Sequence, residues 1–153
     1  VSVGEADFVK ETLDNLGEVN FWRIAMKPGK PLAFGKVDDA WFFGLPGNPV
    51  SAMVTFLQFV RPAINHLSGK ARVTPFRIPM RCINKLKKRP GRLEFQRGIM
   101  EQDEKGETVV RGAGHQGSHI LRSMSIADCF IVLPAENSGV EAGDWVEVEP
   151  FQS

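Results

Sequence analysis

The stretch Gly44-Leu45-Pro46-Gly47-Asn48-Pro49-Val50-Ser51 marks the point where a strand-like region ends and a helical one begins. Glycine permits backbone conformations that other residues avoid, and proline restricts φ, so this composition predicts a turn held in one shape. Apolar residues then recur at helical spacing and predict a helix that ends near Gly69. Pro62 lies inside this pattern and predicts a kink or the start of the final turn. The apolar stripe consists of Val50, Met53, Val54, Leu57 and Val60, widened by Phe56 and Phe59.

The residues before this stretch predict one helix and several strands. Apolar residues at helical spacing, with acidic residues in the first turn, predict a helix from Gly4 to Leu16. The region from Val19 to Met26 is rich in β-formers and predicts a strand. Residues 32–37 and 40–45 flank the turn pair Asp38-Asp39 and predict a hairpin or two neighbouring strands.

After Lys70 the pattern changes to short strand-like runs without a long helical period. Turn-rich pieces separate these runs, and their spacing fits a small β-barrel or sandwich. The boundary between the two regions is predicted near residues 71–75. The predicted strands are 76–86, 92–100, 107–112, 127–133 and 145–148.

Length, charge and cysteine content limit the functions that the chain can have. It has 153 residues, and 42% of them are hydrophobic, which suffices for a globular core. The net charge of +1 does not indicate a nucleic-acid or anionic-membrane partner. No apolar run approaches the roughly 20 residues that span a bilayer. Cys82 and Cys129 lie far apart in predicted strands, which favours two reduced, buried thiols and a cytoplasmic protein.

A second glycine-proline stretch, Met26-Lys27-Pro28-Gly29-Lys30-Pro31, carries two lysines three residues apart. Its backbone is restricted, and its ammonium groups are compact, strongly hydrated charges, a combination that suits an oxyanion. An isolated pair of lysines is more often a pair of solvated surface charges. The residues by themselves therefore leave both interpretations open.

Four motifs in this order resemble the molybdopterin molybdenumtransferase (MoeA) family, the molybdenum-inserting enzymes of cofactor biosynthesis, which are related to the E domain of gephyrin. They are Ser2-Val3-Gly4 with Asp7, Lys27 to Pro31, Gly44 to Ser51, and Gly114-His115-Gln116-Gly117-Ser118-His119. The run from Pro90 to Gly98 extends the match, so the resemblance covers essentially the whole chain.

The resemblance implies a fold of two parts. Residues 1–73 are expected to form the C-terminal half of a molybdopterin-binding α/β domain, a MogA-like three-layer domain present in part. Residues 74–153 are expected to form a small all-β barrel, the C-terminal domain. Because the chain begins inside the family's glycine motif, we expect a fragment that is inactive alone and that belongs to a homodimer when full length.

Enzymes of this family bring molybdate to adenylylated molybdopterin and release molybdenum cofactor and AMP. Molybdate is a dianion that needs paired cations and further donors when it leaves water. The resemblance implies that it binds between the two domains, and that Lys27 and Lys30 are also catalytic. Without the resemblance, Arg97 is an outward strand residue with a surface ion pair, and Ser118 belongs to an ordinary turn. The implied molybdate-binding residues are Lys27, Lys30, Pro31, Arg97 and Ser118.

The resemblance implies a third catalytic residue, Asp7, near the phosphoanhydride, where it either holds Mg²⁺ or positions water. Its place at a predicted helix start equally fits a carboxylate that stabilises the helix N-terminus. Bare backbone N–H groups are expected to bind the phosphate and pterin of the substrate. Asn48 is also the predicted N-cap of its helix. The implied phosphate- and pterin-binding residues are Ser2, Gly4, Pro46, Gly47, Asn48, Pro49 and Ser51.

Two alternative functions remain at this point. A non-catalytic scaffold or anion-binding module of the gephyrin E-domain type keeps the pocket without turnover, although the complete residue set argues against it. A nucleic-acid-binding barrel depends on the basic run at 85–89 alone, which is more often a solvated turn or edge-strand protection. We expect neither a nucleic-acid nor a membrane partner. The three histidines, His66, His115 and His119, do not form a convincing metal set.

Overall fold

The computed structural model describes residues 17–71, 75–114, 116 and 121–151. The chain divides into two compact units, residues 1–73 and residues 74–153. The helix predicted at 4–16 lies outside the described residues. Within the described ranges, no helix is both long and apolar enough to cross a membrane.

The first unit contains a three-stranded antiparallel sheet in the order β1-β3-β4, where β1 is Gly17–Arg23, β3 is Pro31–Val37 and β4 is Ala40–Gly44. A two-residue strand, β2 (Met26–Lys27), lies between β1 and β3 in the chain. The hairpin predicted around Asp38-Asp39 is confirmed, because Val37 pairs with Ala40 across that turn. Asp38 has a φ of 50°, a conformation that aspartate tolerates better than most residues.

A helical segment follows β4 and consists of three parts. They are α1 (Pro49–Thr55), a π-helical turn (Phe56–Val60) and α2 (Arg61–Leu67). The predicted interruption at Pro62 is confirmed, since this proline lies in the first turn of α2, directly after the π-helical turn. Proline has no N–H to donate to the carbonyl four residues earlier, and a local change of helix type is one way to absorb the loss.

The buried face of the helical segment differs from the predicted apolar stripe. Val50 and Val54 are buried as predicted, but Met53 is 42% exposed and Phe56 is 39% exposed. Ser51 and Thr55 are buried in addition. The helix is thus turned towards its small polar residues, because the lysine loop at 26–31 packs against that side.

The second unit contains a closed β-sheet of five strands: β5 (Ile78–Cys82), β7 (Leu93–Gln102), β8 (Thr108–Gly112), β9 (Cys129–Leu133) and β11 (Trp145–Pro150). Their order in the sheet is β7-β8-β5-β11-β9, and β7 also pairs with β9. Closure leaves no free edge among these strands. The pairs are antiparallel except that β5 runs parallel to β8. The small barrel is therefore confirmed.

Three short elements accompany the barrel. Two of them, β6 (Leu86–Lys87) and β10 (Gly139–Val140), pair with each other, so the single run predicted at 76–86 is split between β5 and β6. The third is a six-residue helix, α3 (Leu121–Ile126), which the sequence pattern did not predict because it is too short to show a helical period.

The barrel interior is apolar and includes both thiols. Gly98 of β7 faces this interior, where a Cβ atom would stand 2.8 Å from Cys129 Sγ and 2.9 Å from Ile131 Cγ1. All five residues of β9 are buried, as are residues 94–98 of β7, so both faces of these two strands are covered. The buried core residues are Met80, Cys82, Leu86, Val110, Cys129, Ile131, Leu133, Val140, Val146 and Val148.

The fold class expected for the first unit is only partly visible. Its described residues form an antiparallel sheet and a helical segment. The MogA-like three-layer arrangement of that unit stays a prediction.

Candidate functional site

The lysine loop is held at both ends by backbone interactions. The Ile24 N–H donates a hydrogen bond of 2.8 Å to the Lys30 carbonyl, which closes the loop. The Lys27–Pro28 peptide bond is cis, and Gly29 has a φ of 93°. Pro28 is buried, whereas Lys27 and Lys30 are exposed. The loop therefore has a fixed backbone and turns its two ammonium-bearing side chains outward.

Gly29 packs directly against α1. A Cβ atom at this position would stand 2.6 Å from Thr55 Oγ1 and 3.4 Å from the Ser51 carbonyl oxygen. Only glycine can bring the loop backbone so close to the helix. Because α1 begins at Pro49, this contact places the two glycine-proline stretches of the sequence on the same part of the first unit.

The turn from Gly44 to Pro49 combines a buried proline with an open glycine. Pro46 is buried, and Gly47 is exposed with no atom within 4 Å of the position that a Cβ would occupy. Asn48 occupies the N-cap position with an extended backbone, and its carbonyl accepts a 2.8 Å hydrogen bond from the Ala52 N–H. The backbone around Gly47 is thus accessible to an approaching group.

The predicted capping by the Asn48 side chain is wrong. Among the described residues, this side chain makes no capping hydrogen bond, and its Oδ1 atom is buried without a partner. Thr55 Oγ1, beneath Gly29, is likewise buried without a hydrogen-bond partner in the described part of the chain. One of these polar atoms lies at the start of α1 and the other at its end, and α1 is the helix against which Gly29 of the lysine loop packs.

Arg97 lies on β7 in the second unit and is only 1% exposed. Its Nε donates a 3.1 Å hydrogen bond to Ser123 Oγ on α3. Burial lowers the pKa of the guanidinium, and the negative charge of Glu94 opposes that shift. The alternative interpretation, an outward residue with a surface ion pair, is therefore wrong, because α3 supplies a partner over what would otherwise be the outer face of the barrel.

Gln116 was not predicted as a site residue, although it belongs to the motif that includes Ser118. Its Oε1 accepts a 2.8 Å hydrogen bond from the Arg97 N–H, and its Nε2 donates one of 2.9 Å to the Arg97 carbonyl. A glutamine between two glycines in a predicted turn was the only signal for this role in the sequence. The contact fastens Gln116 to β7 at Arg97.

Several predicted site residues lie outside the described part of the chain. They are Ser2, Gly4, Asp7 and Ser118. The predicted magnesium site depends on Asp7 and stays a prediction. Within the described ranges, no group of three or more His, Cys, Asp or Glu residues could hold a metal ion.

The basic run at 85–89 makes contacts within the barrel unit. Lys85 forms an exposed ion pair with Glu141. Lys88 is buried and donates to the carbonyl oxygens of Arg89, Ala135 and Asn137 at 3.4, 3.2 and 2.9 Å. Within the described ranges, Lys85 and Lys88 of this run thus have intramolecular partners.

The two cysteines are free and buried, which confirms the prediction of two separate thiols. Burial raises the pKa of both, and Asp128 raises that of Cys129 further. Neither thiol is suited to nucleophilic chemistry at neutral pH.

The first unit also has a largely apolar cavity of about 420 Å³. Among the described residues that line this cavity, Arg23 is the one charged residue, so the cavity does not resemble an oxyanion site. The lining residues are Trp22, Arg23, Ile24, Leu32, Phe34, Phe43, Phe59 and Ala63.

Comparison with protein families gives two matches along the chain. Residues 79–151 match the MoeA C-terminal region (domain IV), and residues 1–66 match the family described as a probable molybdopterin binding domain. A molybdopterin molybdenumtransferase from Haemophilus influenzae is 52% identical over 153 residues, which cover 99% of this chain and 38% of that protein. This chain belongs to the molybdopterin molybdenumtransferase family. The predicted resemblance is confirmed.

More distant members of the family extend to eukaryotes and archaea. The molybdenum cofactor synthesis protein cinnamon of Drosophila melanogaster is 40% identical over 143 residues, covering 90% of this chain and 23% of that protein. A crystal structure of a molybdopterin biosynthesis MoeA protein from Pyrococcus horikoshii superimposes with a TM-score of 0.78 at 28% identity, covering 97% of this chain and 36% of that one. The chain thus spans less than two fifths of each of these family members.

Proposed function

We propose that the protein that carries this chain inserts molybdenum into adenylylated molybdopterin, consuming molybdate and producing molybdenum cofactor and AMP. The observation that carries the proposal is the lysine loop, whose two exposed cations stand on a backbone fixed by the Ile24–Lys30 hydrogen bond and by the packing of Gly29 on α1. Because the loop backbone is already fixed, only the two lysine side chains have to be ordered when a dianion binds. The name of the Haemophilus influenzae relative supports the same reaction.

Four side chains supply charge and hydrogen bonds to molybdate in this proposal. Lys27 and Lys30 belong to the first unit, and Arg97 and Ser118 to the second, while Pro31 shapes the end of the lysine loop. A guanidinium can offer two parallel N–H groups to two oxygens of an oxyanion. Because Arg97 is buried, water screens its charge less than it screens the exposed lysines. These cations stabilise the negative charge of molybdate while it approaches the dithiolate sulfurs.

The turn from Pro46 to Ser51 is proposed to bind the phosphate and pterin of the substrate, together with Ser2 and Gly4. The open backbone at Gly47 supports this role, since no neighbouring atom blocks a close approach. Asp7 is proposed to act at the phosphoanhydride. It would either hold Mg²⁺, which would neutralise charge on the adenylate, or position the attacking water.

The assay for this proposal measures molybdate-dependent release of AMP from adenylylated molybdopterin by the complete protein. We expect Lys27→Ala/Lys30→Ala to lower kcat/KM for molybdate about 100-fold or more, because removal of a single group that stabilises charge in the transition state can cost that much. A double variant of two other exposed lysines of the same unit, Lys36→Ala/Lys70→Ala, is the matched control, since it makes the same change in net charge.

The outcomes separate the enzyme from the scaffold. Insertion at the parental rate by the Lys27/Lys30 variant would contradict the site. A complete protein that binds the adenylylated pterin but releases no AMP would favour the gephyrin-type scaffold. Two further expectations belong to the same proposal. We expect the 153-residue chain alone to show no turnover, and we expect the complete protein to sediment as a homodimer.

A further inference from the structure

The segment that follows β8 is attached to Arg97 at two points. The β7–β8 ladder ends where Gly98 pairs with Gly112. Beyond it, the Ala113 N–H donates a 2.8 Å hydrogen bond to the Arg97 carbonyl, and the Gln116 carboxamide bonds to both the N–H and the carbonyl of Arg97. The Gln116 side chain thus continues the pairing beyond the end of the β7–β8 ladder and holds the backbone of β7 at Arg97.

The second attachment is to the guanidinium itself. Ser123 Oγ on α3 accepts a 3.1 Å hydrogen bond from Arg97 Nε. Ser123 is 2% exposed, so its hydroxyl is enclosed with the guanidinium, and water competes little for the hydrogen bond between them. The backbone and the side chain of Arg97 are therefore held by residues of one short segment, in which Gln116 and Ser123 lie 19 and 26 positions further along the chain.

Orientation matters for this side chain more than for a lysine. A guanidinium is planar and offers its N–H groups in a fixed fork, so it binds an oxyanion well only when its plane is correctly directed. A free arginine side chain has many rotamers, and each that must be excluded on binding costs affinity. A hydrogen bond at Nε fixes the plane before any ligand arrives.

We propose that Ser123 and Gln116 are positioning residues for oxyanion binding by Arg97. Ser123 sets the plane of the guanidinium, and Gln116 fixes the backbone of β7 at the residue from which that side chain departs. Neither residue touches the anion. The inference rests on the proposed function in that the anion is molybdate.

The test uses four variants of the complete protein and measures molybdate affinity by calorimetry. Ser123→Ala removes the acceptor, and we expect molybdate to bind about tenfold more weakly, as is typical when a residue that orients a ligand-binding group is lost. Ser123→Thr keeps the hydroxyl and is expected to restore affinity to within about twofold. Gln116→Met keeps the side-chain length without either hydrogen bond. Arg97→Ala shows how much molybdate affinity is lost when the guanidinium itself is absent. Circular dichroism confirms that each variant is folded at the assay temperature.

Amide hydrogen exchange gives a readout that separates the two positioning roles. Gln116→Met is expected to speed exchange of the Arg97 amide, because its acceptor is gone, whereas Ser123→Ala leaves that amide protected. Equal exchange of the Arg97 amide in the parent and in Gln116→Met would overturn the role of Gln116.

The affinity outcomes distinguish this inference from the proposed function. If the parental protein does not bind molybdate, the proposed function fails. If the parent binds and Arg97→Ala weakens binding while folded Ser123→Ala binds like the parent, the positioning role of Ser123 is overturned. It is also overturned if folded Ser123→Thr binds as weakly as Ser123→Ala. If Arg97→Ala binds like the parent, the inference fails, and the lysine variants decide the proposed function separately.

Discussion

Gly29 of the lysine loop lies against Thr55 of α1, so closely that a Cβ atom on residue 29 would stand 2.6 Å from Thr55 Oγ1. In proteins, a Cβ atom essentially never lies within 3.0 Å of a heavy atom outside its own residue and its two chain neighbours. The loop that carries Lys27 and Lys30 is thus anchored to the helix by its glycine, which leaves the two lysine side chains exposed.

The first prediction concerns this contact. Gly29→Ala is expected to lower the free energy of unfolding by about 2–5 kcal/mol, because it combines a positive φ of 93° with overpacking against Thr55. Gly69→Ala is the matched control, since Gly69 has a φ of 78° but open space around it. The control is expected to cost only about 1–2 kcal/mol. Equal losses for the two variants in urea unfolding would contradict the close packing.

A second prediction concerns Asn48, which occupies the N-cap position of α1 without a side-chain capping hydrogen bond among the described residues. Replacing an asparagine N-cap by alanine usually costs about 1 kcal/mol. Because the Asn48 side chain makes no capping hydrogen bond among the described residues, we expect Asn48→Ala to change stability by less than about 0.5 kcal/mol. Asn137→Ala is the comparison, since Asn137 Oδ1 accepts a 2.9 Å hydrogen bond from the Gly139 N–H and its loss should cost about 1 kcal/mol. Similar costs for both would show that Asn48 caps the helix.

The third prediction concerns the glycine inside the barrel. A Cβ on Gly98 would stand 2.8 Å from Cys129 Sγ, so we expect Gly98→Ala to destabilise the barrel by about 1–3 kcal/mol. In a Cys129→Ala background part of the clash is removed, and the two substitutions should couple by at least about 0.5 kcal/mol. Gly47→Ala, which meets no atom within 4 Å, is expected to stay within about 0.5 kcal/mol of the parent. Strict additivity of Gly98→Ala and Cys129→Ala would refute the predicted contact.

The fourth prediction is a dependence of stability on pH. Burial raises the pKa of the Cys129 thiol above its unfolded value of about 8.5. As pH rises past that value, the unfolded thiol ionises while the native thiol keeps its proton, so stability falls by up to about 1.4 kcal/mol per pH unit for this group. The free energy of unfolding of Cys129→Ala should decline less steeply between pH 8.5 and 10.5 than that of the parent. Val148→Ala, a core truncation without a thiol, should keep the parental slope, and a parental slope in Cys129→Ala would contradict the shift.

The turns and the start of the helix were predictable because they depend on local chemistry. The pair Asp38-Asp39 gives a hairpin, and the prolines around Gly47 end β4 and begin α1. The barrel strands were predicted within a few residues, since each is a short β-forming run between turn residues. In contrast, α3 was missed, because six residues hold too little of a helical period to be read from a pattern.

The direction in which side chains point was less predictable. The stripe through Met53 and Phe56 was the obvious apolar face, yet the helix buries Ser51 and Thr55 because the lysine loop covers that side. The sequence pattern of β7 likewise did not show that Arg97 would be covered. Of the candidate site, the lysines were found through their loop and the family resemblance, whereas Gln116 and Ser123 became visible only through their contacts with Arg97.

By itself the sequence determined where the backbone of this protein turns and which family its motifs belong to, because glycine, proline and apolar periodicity act on residues close together in the chain. The tertiary structure alone decided that Arg97 is a buried cation held at its backbone by Gln116 and at its guanidinium by Ser123. The physical reason is that burial and hydrogen-bond partners come from distant parts of the chain. Here the partners lie 19 and 26 residues away.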